Sequence, residues 1–584
     1  MSRDGEGPAA AVERRALKVR MGRVLVLLAL AAVVVRVAAA GMRGDYLSFD
    51  ESMYIILGKN LLWGHGYTLN ALPNVTFPFI LPILAGIVEH FGGPRLALSL
   101  PSAVLGGLAV IPLYLLARKM AGETVAFASA LLFVGFPSLI QFTPFVSYGR
   151  RLYDGSEQVY IFFLLFAAYF AYAAAVDGRW RDYVAGGLFA GAACEVRQDG
   201  GVCALMVFLW LVGAALARRQ WRSVGKAGAF AAAAIALAMP FLWHVRAVTG
   251  VWGPGTRLAG SIPMRSSFEL VIRKNDWQDA LKSLFALNEK GTELRTPYYG
   301  VSPWHRSRFL DGEETADVGR ALRDMRPGYL PEALRDYVLW AIPDRFGYVA
   351  LAGIAGLLLW PRRWTNAAFL VALFVPAVLA ALFLFPLARF WMFLTPFVVM
   401  LIAWGIVFVL GLFTRVAPKL SLWAAIASLA VAAAVSGFGA YDGLKAQESY
   451  RRDLRNYERT MEELDKTAAR WLVVNTAPWT RVMASGPQPA LLAGREWLVL
   501  PIDTGERVLA YARLKKAGII VLTSSEPGKG AAALEPYLKA IFAQEGNNFR
   551  ATVRIYDLEA TPGAPMEMPS AANTPQPDRL SPAQ

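Results

Sequence analysis

Long apolar runs separated by short polar segments dominate the chain up to about residue 440. A run of about 18 or more apolar residues is long enough to cross a bilayer as a helix. Runs on this scale occur at 24–40, 96–116, 125–146, 159–176, 202–217, 227–245, 348–360, 367–385, 390–413 and 420–438, with a shorter one at 183–194. The pattern predicts an α-helical polytopic membrane protein with about 11 transmembrane helices.

The basic residues indicate how the chain is oriented. Bursts of Lys and Arg lie at 14–23, 118–119, 179–181, 218–222, 362–363 and 415–419. With about 11 spans, every burst falls on one side of the membrane, as expected for cytoplasmic loops. Residues 1–23 are then a cytoplasmic leader, and 41–95 and 249–345 are outer loops. The run 24–40 also resembles a cleavable signal peptide, although Arg36 interrupts it.

The first outer loop, residues 41–95, is too hydrophobic for a simple loop and too interrupted for a span. Its pattern predicts two helices lying at the membrane interface. The first is expected to begin at Asp50 or Glu51 and to end at Gly64. The second is expected over about 77–91 and is followed by a pair of glycines.

The regions outside the apolar runs differ in composition. The long outer loop 249–345 is rich in Gly, Pro, Trp, Tyr and Arg, which predicts an ordered lid or binding loop. After the transmembrane domain, residues 24–440, the chain becomes more polar. A charged helix over 444–472 and alternating helix-like and strand-like runs predict a small extracytoplasmic α/β domain over 441–560. The tail 561–584, rich in Pro, Ala and Ser, is expected to be disordered.

Composition supports a membrane protein and narrows the chemistry. Of the 584 residues, 56% are hydrophobic and 18% are charged, and the mean hydropathy is +0.39. The net charge of +15 does not indicate nucleic-acid binding, because the basic residues lie in short bursts between spans. The chain contains no P-loop, no dinucleotide-binding glycine motif, no H-E-x-x-H and no Asp-x-Asp. These absences argue against an ATP-driven pump, a dinucleotide enzyme, a common zinc protease and a metal-dependent nucleotide-sugar enzyme.

Charged side chains collect at the predicted outer ends of several spans. They are Asp50, Glu51, Arg150, Arg151, Asp154, Glu157, Glu195, Arg197, Asp199 and Arg389. A carboxylate can take a proton from an acceptor, and guanidinium groups hold phosphate through bidentate, charge-assisted hydrogen bonds. The set therefore suits group transfer from an anionic lipid donor.

Each of these residues also has a purely structural interpretation. Asp50 can cap the helix that follows it, which is worth about 1 kcal/mol. Arg150 and Arg389 can anchor the chain at the interface by snorkelling. Arg197 can form a structural ion pair with its acidic neighbours Glu195 and Asp199. Aromatic residues such as the tyrosine at 54 are as well suited to an aromatic belt as to substrate contact.

In chain order these residues resemble a known enzyme family. The acidic pair after the first span, Ser156-Glu157 at the start of the fourth, Arg197 after the fifth and Arg389 before an aromatic residue resemble the type-C membrane glycosyltransferases. The nearest branch contains protein O-mannosyltransferases and lipid A aminoarabinose transferases. The resemblance covers about residues 20–415.

The resemblance implies roles for individual residues. Its members use a polyprenyl-phosphate sugar and invert the anomeric carbon, so Asp50 would be the catalytic base, with Glu51 beside it. Asp154 or Glu157 would be the acid of the second loop, and Arg197 and Arg389 would bind the phosphate. Two further residues are candidates for substrate binding, Tyr54 and Arg150. In one departure, the segment before Pro78 lacks the Lys or His that the family often has there.

From the resemblance we expect an integral glycosyltransferase that moves a hexosyl or pentosyl group from a polyprenyl-phosphate donor to a lipid, glycan or protein acceptor. Its active site would lie on the extracytoplasmic side of the inner (plasma) membrane, and no nucleic-acid partner is expected. No cofactor is certain, and a divalent metal held by Asp50, Glu51 and Asp154 is an open alternative. A lipid or glycan transporter or flippase without bond-forming activity is the main competing function. An assembly protein acting through residues 441–560 is a third.

Overall fold

The computed structural model describes a large part of the chain. The described residues are 8–42, 47–140, 156–253, 255, 285–311, 353–354, 364–383, 392–416, 421–453, 455–524, 540, 542–545 and 552–558. They divide into two compact units, of which the first is Met1–Leu284 with Thr296–Asp453 and the second is Phe285–Arg295 with Leu454–Gln584. Each unit is described by itself.

Among its described residues, the first unit consists of helices and one short hairpin. Its elements in chain order are α1 Pro8–Gly41, α2 Phe49–Leu62, β1 Thr68–Leu69, β2 Leu72–Pro73, α3 Ile80–Gly92, α4 Ser99–Leu108, α5 Val110–Ala121, α6 Glu123–Gly135, α7 Pro137–Ile140, α8 Ser156–Asp177, α9 Trp180–Val196, α10 Gly200–Ala217, α11 Trp221–Thr249, a 3₁₀ turn Pro297–Tyr299, α12 Pro303–Leu310, α13 Trp364–Phe383, α14 Thr395–Val416 and α15 Ser421–Asp453.

Seven stretches of helix within the described residues are long and apolar enough to cross a membrane. They are Met21–Gly41, Ser99–Ala121, Ser156–Asp177, Gly200–Ala217, Trp221–Thr249, Met392–Leu412 and Leu422–Lys445. The chain is therefore an α-helical multi-pass membrane protein, as the hydrophobic pattern predicts. The predicted run 348–360 lies outside the described residues except for 353–354, and the total of about 11 spans stays a prediction.

Small residues allow the helices of the first unit to approach closely. On α9, a Cβ added to Gly187 would lie 2.2 Å from the Phe230 carbonyl oxygen of α11. On α2, a Cβ added to Gly58 would lie 2.0 Å from the Pro82 carbonyl oxygen of α3. Glycines at such crossings let two helix backbones touch, as is common in membrane bundles. These contacts fix α9 to α11 and α2 to α3.

The 41–95 segment contains two helices joined by a hairpin. Helix α2 begins at Phe49, one residue before the predicted start, and α3 begins at Ile80 instead of about residue 77. The later start of α3 follows from Pro78, since the residue before a proline avoids helical backbone angles. Between the helices, β1 pairs with β2 in antiparallel register through the tight turn at 70–71.

The second unit is built on a five-stranded sheet with the order β4-β3-β5-β7-β6. Strands β3, β4 and β5 are parallel, whereas β7 is antiparallel to β5 and to β6. The elements are α16 Arg455–Asn475, β3 Arg481–Ala484, α17 Gln488–Leu492, β4 Glu496–Val499, α18 Gly505–Leu514, β5 Ile519–Ser524, β6 Phe542–Glu545 and β7 Thr552–Asp557. The predicted charged helix over 444–472 is divided here between the end of α15 and α16.

Residues 285–295, from the middle of the predicted long loop, pack within this second unit. The Ile502 amide donates to the Phe285 carbonyl oxygen at 3.0 Å, and Lys515 Nζ lies 2.9 Å from Glu293 Oε2. Nothing in the local pattern of the loop predicts this packing, because its partners lie more than 200 residues later. The predicted tail 561–584 lies outside the described residues.

Candidate active site

Asp50 lies in the first turn of α2, and a different residue caps that helix. The N-cap is Ser48, whose hydroxyl accepts the Glu51 N–H at 3.3 Å, while Glu51 Oε2 accepts the Ser48 N–H at 3.3 Å. This reciprocal pair is a capping box. Asp50 is partly exposed and Glu51 is buried. Capping is thus the work of Ser48 and Glu51, and the interpretation of Asp50 as the N-cap is wrong.

The 3₁₀ turn at Pro297–Tyr299 lies beside the start of α2. The rings of Phe49 and Tyr299 meet edge to face with centroids 6.1 Å apart. The pKa of Tyr299 is raised well above its usual value, first by burial and then by Tyr298 and the nearby negative charge of Asp50. A buried, neutral phenol therefore packs on Phe49 at the start of α2, within electrostatic reach of Asp50. No local sequence motif marks Tyr299 as a site residue.

Glu157 and Arg197 come together in a second, buried cluster. Arg197 Nη1 donates to Glu157 Oε1 at 3.1 Å and to Ser156 Oγ at 3.2 Å, while Nε donates to Asp199 Oδ1 at 3.1 Å. The Arg197 and Glu157 side chains are each 3% exposed. Removal of either side chain would leave the other charge buried without its partner, which is strongly destabilising.

The structural ion pair considered for Arg197 is thus present with Asp199, and Glu157 is its further acidic partner. Glu195 is used differently, since its two carboxylate oxygens accept the backbone N–H groups of Phe79 and Phe241. The cluster has two carboxylates and one guanidinium, so the charge of Arg197 is balanced and a formal charge of −1 remains.

Residues 74–76 connect the Glu157–Arg197 cluster with the 3₁₀ turn beside α2 through polar contacts. Gln198, next to Arg197, donates from Nε2 to the Thr76 carbonyl oxygen at 2.9 Å. The Thr76 hydroxyl and Asn74 Nδ2 both donate to the Tyr298 carbonyl oxygen, at 2.8 and 3.1 Å. Thr76 lies in the segment before Pro78, where the family often has a cation. Its hydroxyl bonds to the 3₁₀ turn and its carbonyl oxygen bonds to Gln198, so it connects these two parts of the chain.

Tyr54 is part of the same contact region. Its side chain is 1% exposed, and its ring lies edge to face with Phe77 at 5.0 Å. Phe77 in turn contacts Tyr298 at 5.5 Å. Tyr54 is therefore packed inside the protein, and the aromatic-belt interpretation does not hold for it. Its contact with substrate stays a prediction.

The remaining candidates lie outside the described residues. They are Arg150, Asp154 and Arg389, together with the neighbouring Arg151. Among the residues that the structure describes, no group of three or more His, Cys, Asp or Glu side chains could hold a metal ion. Because the metal set considered from the sequence includes Asp154, that alternative stays a prediction.

Comparisons with known proteins address the fold and the chemistry. Residues 75–244 match the sequence model of the family described as dolichyl-phosphate-mannose-protein mannosyltransferase. No curated protein matches the chain by sequence.

Among solved structures, the apo oligosaccharyltransferase of Archaeoglobus fulgidus is 16% identical, with a TM-score of 0.55 over 90% of this chain and 73% of its own. AglB of the same organism, in complex with an inhibitory peptide and a dolichol-phosphate, is 15% identical, with a TM-score of 0.54 over 86% of this chain and 69% of its own. ArnT of Cupriavidus metallidurans, bound to undecaprenyl phosphate, is 13% identical, with a TM-score of 0.47 over 93% and 99%.

The family match supports glycosyl transfer and not transport. The archaeal structures share the fold of this chain, and their own length is covered for the greater part. The resemblance to the type-C membrane glycosyltransferases that the sequence predicts is confirmed by these matches.

Proposed function

We propose that this protein transfers a sugar from a polyprenyl-phosphate donor to a lipid, glycan or protein acceptor, with Asp50 as the base. The observation that supports this most strongly is the partly exposed Asp50 carboxylate at the start of a capped helix, beside Tyr299. The family description and the dolichol-phosphate in the AglB complex support a lipid-phosphate donor.

The proposed reaction is an inverting single displacement. Asp50 would accept the proton of the acceptor hydroxyl or amine while the acceptor atom bonds to the anomeric carbon. The bond between the anomeric carbon and the phosphate oxygen breaks on the opposite face, and polyprenyl phosphate leaves with the electron pair. Because this phosphate is a stable leaving group, no general acid is needed, unlike in an inverting glycosidase.

Guanidinium groups would hold the donor phosphate. We assign this role to Arg150, Arg197 and Arg389, with Asp154 or Glu157 as the acid of the second loop. Arg197 bonds to two carboxylates in the structure, so much of its charge is balanced. We therefore expect Arg150 and Arg389 to contribute more to phosphate affinity than Arg197.

The membrane topology of the chain is part of the same proposal. The chain would cross the inner membrane about 11 times, with α2 and α3 at the outer interface and an α/β domain over 441–560 outside the cytoplasm. Single cysteines at 63 and 479, where exposed tryptophans lie, would react with a membrane-impermeant maleimide added to intact cells. A cysteine at the exposed Trp221 would react only after permeabilisation.

The test of the function is transfer in proteoliposomes with a radiolabelled polyprenyl-phosphate sugar and an envelope extract as acceptor. Asp50→Asn should abolish transfer while the amount of folded protein stays the same. The matched control is Asp177→Asn, at the far end of α8 from Glu157, which should keep activity. Full activity of Asp50→Asn would contradict the proposal. Movement of the lipid across the bilayer without bond formation would favour a flippase.

Metal dependence is tested in the same assay. Loss of transfer on adding excess chelator, with recovery on adding a divalent ion, would support a metal held by Asp50, Glu51 and Asp154. Unchanged transfer would exclude that alternative. The released product, a hexosyl or a pentosyl conjugate, is identified by mass spectrometry.

A further inference from the structure

Glu195 is a buried carboxylate that joins three helices of the first unit. It is the penultimate residue of α9 and is 5% exposed. Its Oε2 accepts the Phe79 N–H at the start of α3 at 3.3 Å, and its Oε1 accepts the Phe241 N–H of α11 at 3.4 Å. Each oxygen thus bonds to a different helix.

The Phe79 N–H lies where a helix needs an external acceptor. Phe79 is the N-cap residue of α3, and in a capping box its N–H would be accepted by a Glu or Gln at the N3 position, which here is Pro82. Phe241 follows Pro240, which has no N–H to donate within α11, and the Phe241 N–H donates to Glu195. A carboxylate at the start of α3 also complements the positive end of the helix dipole. Glu195 therefore accepts, from α9, the N-cap N–H that no N3 side chain of α3 can accept.

The surroundings of Glu195 fix the chain just before α3. The Tyr67 hydroxyl donates to the carbonyl oxygens of Phe77 and Pro78, at 2.8 and 3.2 Å. The Phe79 ring lies edge to face with Phe241 at 5.5 Å. Within this packed group the two carboxylate oxygens of Glu195 accept N–H groups from both α3 and α11.

Helix α3 is in turn coupled to the helix that carries Asp50. Gly58 of α2 and Gly86 of α3 touch with no room for a side chain, because a Cβ added to Gly86 would lie 2.7 Å from the Gly58 carbonyl carbon. Tyr54 of α2 packs on Phe77, two residues before the capped N–H of α3. A shift at the start of α3 is therefore passed to α2.

We propose that Glu195 is a positioning residue, which caps α3 from α9 and so holds α2 with Asp50 at the site. This inference rests on the proposed function of Asp50. Glu195 would touch neither donor nor acceptor. Its loss moves a base that must lie within hydrogen-bond reach of the acceptor, so the chemical step suffers more than substrate binding.

The chemistry of the cap predicts an order among variants. Glu195→Gln keeps one acceptor oxygen and turns an N–H donor of the amide toward another N–H, so one bond is lost. Glu195→Ala removes both acceptors. Glu195→Asp keeps the charge and both oxygens on a shorter side chain, and should rescue part of the activity that Gln loses.

Two measurements on the full chain in nanodiscs test the proposal. Glu195→Gln should lower kcat by about 10- to 100-fold, with the donor KM changed less than about threefold. Amide hydrogen exchange at 79–83 should become faster, and Glu195→Asp should lie between Gln and wild type in both measurements. The matched control is Glu123→Gln, a carboxylate in the first turn of α6, which should change neither.

The outcomes separate this proposal from the proposed function. If Glu195→Gln changes neither the hydrogen exchange nor kcat, Glu195 does not cap α3. If exchange becomes faster and kcat is unchanged, Glu195 caps α3 but does not position Asp50. If Glu195→Ala does not fold, the comparison of Gln with Asp decides. If Asp50→Asn keeps full activity, the proposed function fails, and the exchange data still report on the cap alone.

Discussion

At the start of α2, Asp50 is partly exposed beside a buried tyrosine, whereas at the start of α8, Glu157 is 3% exposed and bonded to Arg197. Both acids follow a predicted span end, and the sequence pattern does not distinguish them. The structure does, because one carboxylate is partly exposed and the other is buried in an ion pair with Arg197. The first arrangement suits proton transfer, and the second suits a rigid framework around it.

The second unit holds a third kind of acid, which is buried and has no ion-pair partner among the residues that the structure describes. Asp465 of α16 is 7% exposed and accepts a hydrogen bond from the Thr523 hydroxyl at 3.1 Å. Burial, which disfavours its charged form, raises the pKa of Asp465 to about 7. Comparison of the three acids therefore separates exposure, ion pairing and burial. Variants at the three acids should therefore differ in whether they change transfer activity, stability or the pH dependence of stability.

The largest effect on stability is expected from Arg197→Ala. It leaves the buried Glu157 without its cation, and breaking a buried pair in this way costs about 3–5 kcal/mol. Thermal unfolding in detergent should show a clear drop in midpoint, in contrast with Asp50→Asn, which should unfold like wild type. If Arg197→Ala is as stable as wild type and only weakens donor binding, the guanidinium serves the phosphate and the comparison fails.

A double variant tests whether Arg197 and Glu157 are energetically coupled. Arg197→Ala combined with Glu157→Gln removes the cation and its buried anion together. It should recover part of the stability that Arg197→Ala loses, because no charge is then left buried at Glu157. Additive losses in the two single variants would mean that the pair is not coupled.

The next largest effect is the pH dependence of Asp465. Between about pH 4 and pH 7 the folded state holds a proton on Asp465 that the unfolded state has lost. The free energy of unfolding of the second unit should therefore fall as pH rises through this window and level off above about pH 7. Asp465→Asn keeps an acceptor for Thr523 and should remove this slope.

Hydrogen exchange of the β5 amides at pH 5 and pH 8, corrected for the intrinsic rates, measures this difference in the full chain. Above pH 7 the Asn variant should be more protected than wild type. The matched control is Asp503→Asn, whose carboxylate pairs with Arg507 and is not deeply buried. An unchanged pH slope in Asp465→Asn would remove Asp465 as its cause.

The sequence predicts those features that depend on neighbouring residues. Hydropathy locates helices that can span the membrane, because an apolar run reports burial along its own element. The site depends on contacts between distant residues. Thr76 bonds to Tyr298 across 222 positions and Glu195 to Phe79 across 116, so no local pattern reveals either contact.

The capping box is different, because its signal is present in the sequence. Ser48 and Glu51 have the spacing of the motif, with an apolar run after them. The acidic pair draws attention to Asp50 as the cap, whereas the motif begins at the serine two residues before it. The spacing also explains why two adjacent acids differ, as only the third residue after the cap can reach back to it.

The smallest expected effect comes from Glu51→Gln. The amide keeps an oxygen that can accept the Ser48 N–H, so the capping box loses only its charge near the positive end of α2, worth about 0.3–1 kcal/mol. If Glu51 acts through the cap, transfer should fall less than about tenfold, far less than in Asp50→Asn. Ser48→Ala, which costs about 1 kcal/mol, should resemble it, whereas Ser129→Ala, a buried serine bonded within α6, should not. A loss in Glu51→Gln equal to that of Asp50→Asn would instead assign both adjacent acids to the chemistry.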